Sequence, residues 1–157
     1  MTRKLLTVVA VLFAFCGLSV LGQGAHRSAG TWELNVGKSM MTPGPMPKSQ
    51  TRVYEVTGQQ EKSVQKGIDA DGKPTLVEFT VTYDGKDYPY TGSPLFDTLA
   101  VTRVDDYTAS FIHKKNGKVA STGTRVVSQD GKTMTITGKG TDAKGQPTSL
   151  HLVLEKR

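Results

Sequence analysis

The chain has 157 residues, a formal net charge of +6, 36% apolar residues, 17 glycines, seven prolines and one cysteine. That length suits one domain around a single core, and a lone cysteine excludes a disulfide framework. The positive charges are scattered along the chain and not gathered in a patch, which argues against a nucleic-acid partner.

Residues 1–25 open with Arg3 and Lys4, continue as an uncharged apolar run from Leu5 to Leu21, and end in Gly22, Gly24 and Ala25. A basic start, an apolar stretch and small residues behind it have the form of a secretory signal peptide, cut after Gly22 or Ala25. A membrane anchor is the alternative, because the run approaches the roughly 20 residues that span a bilayer. Cys16 lies inside the run behind bulky Phe15, which disfavours lipidation. The expectation is an exported protein, periplasmic or secreted, with one domain over 26–157 and no stable membrane insertion after cleavage. Loss of Arg3 and Lys4 lowers its net charge from +6 to +4.

Residues 30–36, GTWELNV, alternate, so Trp32, Leu34 and Val36 share one face and Thr31, Glu33 and Asn35 the other. Pro43, Gly44, Pro45 and Pro47 forbid a helix over 37–50, which reads as a long surface connection. Met40, Met41 and Met46 within it suit adaptable packing over one end of a core; thiophilic metal binding is the alternative. Further strands are expected at 52–57, 63–68, 75–83, 87–91, 97–104, 107–114, 119–128, 133–139 and 148–155. Between them stand Asp71-Gly72, Asp84-Gly85, Asn116-Gly117 and Asp130-Gly131. These pairs signal hairpins, because the glycine accepts the positive φ of a tight turn.

Residues 83–104 form a corner in this series. Pro89 has no N–H to offer a neighbour and belongs at a sheet edge, and Tyr88, Tyr90, Phe96, Pro89 and Pro94 gather aromatic surface there. A meander of this kind, with one apolar face and no helix to cover it, must curl on itself. The fold class is all-β: an up-and-down antiparallel barrel of 8–10 strands, with a two-sheet sandwich as the alternative.

Gly30-Thr31-Trp32-Glu33-Leu34, the meander and the closing run Leu152-Val153-Leu154-Glu155-Lys156 resemble the calycin group, the lipocalins and fatty-acid-binding proteins. The resemblance implies that Gly30 and Trp32 close one barrel end and that a basic residue, Arg125 or Arg157, packs on the indole. Asp106-Tyr107 resembles the lipocalin Asp-Tyr turn. The chain departs from the group in having neither a helix after the barrel nor a helical lid after the first strand. GTWELNVGKS, PGPMPKSQT, DGKDYPYTGSP, VVSQDGKTMT and GTDAKGQ are similar to a family of exported bacterial proteins, a resemblance that implies fold and export but no activity.

The histidines His26, His113 and His151 have no metal-ligand spacing; only an N-terminal His26, freed by cleavage after Ala25, could chelate copper. No metal or other cofactor is expected. No nucleophile motif is present. Asp87 and Asp97 could face each other across a barrel mouth as the carboxylates of a hydrolytic enzyme, although Asp at turns ordinarily serves its own backbone. The favoured reading is a non-enzymatic protein that binds a small hydrophobic, partly apolar molecule. Phe79, Val81, Tyr83, Leu99, Val101 and Phe111 would line the barrel, with Tyr88 and Tyr90 at its rim. The alternative is an envelope interaction module or inhibitor using the corner at 88–94.

Overall fold

The computed structural model describes residues 26–142 and 144–157. The expected signal peptide, its cleavage points and Cys16 lie outside these residues. The strands are β1 (Gly30–Leu34), β2 (Met40–Thr42), β3 (Ser49–Thr57), β4 (Gln60–Ile68), β5 (Pro74–Thr82) and β6 (Tyr88–Thr91). They continue as β7 (Thr98–Arg103), β8 (Thr108–Lys115), β9 (Lys118–Val127), β10 (Thr133–Thr141) and β11 (Pro147–Lys156).

From β3 to β11 each strand pairs antiparallel with the next, β1 pairs with β3, and β1 also pairs with β11. The sheet is therefore closed, and the structure is the up-and-down barrel expected. Closure removes the free edges that an open meander would leave. The turns form where the sequence places them. Asn116 and Gly117 both take positive φ, 51° and 75°, the backbone of a two-residue hairpin matched to strand twist. The turn aspartates cap backbone N–H groups as expected: Asp130 accepts from Lys132, Asp142 from Lys144 and Gln146, and Asp105 from Tyr107 and Thr108.

The segment expected as a plain connection over 37–50 differs. Trp32 to Leu34 pair with Lys156 to Leu154, and farther along the same edge Met40 to Thr42 pair with His151 to Ser149. β1 and β2 are thus two pieces of one strand position, joined by a 3-10 turn at Val36–Lys38. Without β2 half of β11 would present an unpaired edge. At the interruption Ser39 Oγ accepts from Val153 N at 2.9 Å and Asn35 N donates to Val153 O at 2.8 Å, so the ladder loses no partner. Ten strand positions circle the barrel.

The connections β2–β3, β4–β5, β6–β7, β8–β9 and β10–β11 lie at one end, the mouth. The others, with residues 26–29, lie at the closed end. The wall is thinnest at β6: β5 and β6 pair only at Glu78–Thr91 and Phe79–Tyr90, and β6 and β7 only at Tyr88–Leu99 and Pro89–Thr98. Pro89 occupies that weak point because it has no N–H for a full ladder.

Candidate functional site

The interior divides into a floor and a cavity. At the floor Trp32 is fully buried and its Nε1 donates to Ser28 O at 2.7 Å. Lys156 Nζ lies 5.2 Å from the centre of the indole. A Cβ at Gly30 would stand 2.9 Å from Lys156 Cε, so the glycine leaves the path that the lysine stem takes across the barrel end. Gly30 and Trp32 stand together at this end of the barrel, and the cation over the indole is Lys156 where Arg125 or Arg157 was expected. The β1–β11 register sets Lys156 directly beside Trp32. Arg157 instead pairs with Glu33 at 2.7 Å, and Arg125 is held elsewhere.

Arg125, on the inward face of β9, forms a two-pronged pair with Glu61 of β4, Nη1 to Oε1 at 2.9 Å and Nη2 to Oε2 at 2.6 Å. Ser28 Oγ donates to the same carboxylate at 2.9 Å, the Tyr83 hydroxyl donates as well, and the guanidinium lies 4.7 Å from the centre of the Tyr54 ring. Burial alone would raise the Glu61 pKa, but Arg125 and the hydrogen bonds outweigh it and hold the carboxyl below its usual range. Burial drives the Tyr83 phenol well above its ordinary value, with Arg125 opposing and Glu61 adding. His26 is buried against Tyr83, ring centres 5.4 Å apart, and its Nδ1 accepts from Ser28 N. Burial and then Arg125 lower its pKa to about 4. A copper-chelating His26 would need a solvent-facing imidazole; here the ring is packed into the floor.

Above this network lies a cavity of about 130 Å³. Tyr54, Phe79, Tyr90, Phe96 and Phe111 supply its aromatic walls; Leu99, Val101, Ala109, Ile136, Leu150 and Leu152 supply its aliphatic ones. Its polar members are Arg52, Gln65, His113 and Arg125. Phe96 reaches in from the β6–β7 connection, where Ser93 Oγ accepts from the backbone N–H of Leu95 and Phe96 and fixes the loop. Its ring stacks on His113 at 4.4 Å, and His113 meets the edge of Tyr90 at 4.9 Å and of Phe111 at 5.1 Å. Space for Phe111 comes from Gly123, where a Cβ would stand 2.5 Å from the Phe111 ring and 2.1 Å from Thr137 O. Burial, then the Arg52 charge, lower the His113 pKa to about 4. Burial pushes Tyr90 up to about 12, with Arg52 opposing and Tyr54 adding.

Of the residues expected to line the barrel, Phe79, Leu99, Val101 and Phe111 do so. Tyr90, expected at the rim, also lines the cavity, against Phe96 of the β6–β7 connection. Tyr83 belongs to the floor network and Val81 to the solid core, so neither lines the cavity. Tyr88 packs on that core and donates to Asp84 at 3.1 Å. The strand alternation turns both tyrosines inward and leaves Pro89 outward, so the 88–94 corner does not offer them as exposed anchors. Asp87 is paired with Lys114 at 2.7 Å, and Asp97 Oδ2 accepts from Asn116 N, so each carboxylate is engaged apart from the other. Met41 and Met46 pack on the core while Met40 is exposed. Among the described residues no cluster of His, Cys, Asp and Glu could hold a metal, and no helix is long and apolar enough to cross a membrane.

Sequence reasoning missed Arg52, Gln65 and Glu61. The signal was present in β4, QEKSVQKGI, where an alternating reading has no apolar face at all. Its inward positions are Glu61, Ser63 and Gln65, all buried.

No protein-family model matches the chain, and no curated protein is similar to it in sequence. Among solved structures it is similar to the crystal structure of lobster apocrustacyanin A1, with a TM-score of 0.44 and 16% identity. The alignment covers 83% of this chain and 61% of that one, so this chain spans less than two thirds of that protein's length.

Proposed function

We propose that this is a non-enzymatic β-barrel protein that holds a small, partly apolar molecule inside the barrel. The observation that carries this reading is the cavity of about 130 Å³ above the floor, walled by aromatic and aliphatic side chains with a few converging polar groups. Concave, mostly apolar sites of this composition are where small ligands bind. An engineered apolar cavity of about 150 Å³ takes up benzene, so the space suits a single ring.

A catalytic reading has less support. Glu61 is the one carboxylate buried among the described residues. It is held ionised and saturated by Ser28, Tyr83 and Arg125. It has no proton to give and no vacant lone pair directed at a substrate. The signal-peptide form of residues 1–25 supports export, to the periplasm or beyond the cell, followed by folding of residues 26–157 as one domain.

Native mass spectrometry of protein purified gently from its own cells, compared with the denatured mass, tests both parts. The expected result is a mass excess of one small molecule that disappears on denaturation, on a chain lacking residues 1–22 or 1–25. A bare mass across repeated mild preparations, with no uptake of added single-ring compounds, would overturn the binding reading; an intact residue 1 would overturn the export reading.

A further inference from the structure

We propose that the cavity's occupant is a small carboxylate with a compact, single-ring body, its carboxylate paired with Arg52. This rests on the reading of the barrel as a binder and specifies what it binds.

The charge of the cavity carries the argument. Its lining includes Arg52, Arg125 and His113 and no Asp or Glu. Arg125 is neutralised from below by Glu61. Arg52 has no such partner: its Nε donates to Gln50 Oε1 at 2.8 Å, and no carboxylate among the described residues lies within ion-pairing distance. Arg52 stands on the inward face of β3, two residues from Tyr54, and its field reaches His113 and Tyr90 across the barrel. A neutral guest would leave that positive charge beside an apolar wall, whereas an anion would neutralise it. Charge-assisted hydrogen bonds from a guanidinium to a carboxylate are among the strongest available to a site of this kind.

A second donor points the same way. Arg125 has a side chain 7% exposed, lines the cavity, and has its two terminal nitrogens committed to Glu61, yet its buried Nε has no hydrogen-bond partner. Buried N–H groups left unpaired are uncommon and call for an explanation. An acceptor oxygen in the cavity would satisfy it. The remaining wall is aromatic and aliphatic, and the volume accommodates a body of about one ring.

The test is titration of the folded chain with benzoate, with its neutral isostere benzamide, and with toluene, read by ligand-observed NMR and by the shift in melting temperature. The expected result is benzoate binding at least tenfold tighter than benzamide. Arg52→Gln should abolish that preference, and Arg52→Lys should restore part of it. Equal affinity for benzoate and benzamide, unaltered in a folded Arg52→Gln protein, would overturn the carboxylate inference and leave the binding reading standing. Failure of all three compounds to bind would overturn both.

Discussion

The floor and the cavity of this barrel are built on opposite terms. The floor is crowded with polar groups, and their hydrogen bonds converge on Glu61 from Ser28, Tyr83 and Arg125. The cavity is mostly apolar, and of its lining residues Arg52 has no carboxylate counter-ion among the described residues and Arg125 has an Nε without an acceptor. Buried polarity therefore does not by itself mark a binding site. What distinguishes the cavity is its charge: in the floor the buried pair of Glu61 and Arg125 is closed on itself, although His26 Nε2 there also lacks a hydrogen-bond partner, whereas Arg52 brings a cation to the cavity without a carboxylate beside it among the described residues.

The largest expected effect tests the floor. Glu61→Gln strips the counter-charge from a buried guanidinium and should cost about 3–5 kcal/mol, measured by urea denaturation. Glu61→Gln combined with Arg125→Met should recover most of that loss, because the penalty comes from the orphaned charge and not from absence of the pair. Trp32→Ala should cost a similar amount, about 3–5 kcal/mol, by opening the floor to water. A near-neutral urea midpoint for it would mean that residues 26–29 seal the barrel without the indole.

Acid should weaken both regions through one imidazole each. His26 and His113 take up a proton near pH 4 in the folded chain against 6.5 ordinarily. Between those values the unfolded chain holds the more protons. Their contribution is therefore complete above pH 6.5 and is lost as the pH falls towards 4, by less than about 3 kcal/mol for each ring, since solvent screening reduces the full shift. Glu61, with its pKa depressed, adds a further loss below its ordinary value of 4.5. His113→Phe should remove the cavity's share and leave that of His26, which equilibrium unfolding at stepped pH would resolve.

The smallest effect has the opposite sign. Arg52→Leu should leave stability unchanged or raise it by about 1 kcal/mol, because it deletes a charge that no acidic side chain among the described residues compensates. A loss of several kcal/mol in the same urea series would mean that Arg52 holds the wall together and is not reserved for a guest.

Strands and turns were legible because both have simple physical causes: alternation sets which side chains enter the core, and Asp-Gly or Asn-Gly pairs set where the chain reverses. Trp32, Phe79 and Phe111 followed from those rules. β2 did not, because a three-residue strand followed by Pro43 and Pro45 carries too little pattern, and its existence depends on the edge that β11 offers. The polar part of the site was hidden for a different reason. β4 turns Glu61, Ser63 and Gln65 inward, and β9 turns Arg125 in while Val126 faces out, the reverse of what hydrophobicity predicts. The gain is mutual, since each residue satisfies another from a distant strand, and pairing at that separation leaves no periodic trace along the chain.

The seam between β1 and β11 joins Trp32 to Lys156, nearly the full length of the folded domain, whereas each neighbouring pair from β3 to β11 is linked by a short connection. Local hairpins therefore assemble early, and the two ends of the ribbon meet last, after the longest loop has been closed. Until then β1 and β11 present bare backbone edges of matching register. At high concentration those edges should find the same edges on another molecule, so refolding should divide between monomer and strand-exchanged dimer in proportion to chain concentration.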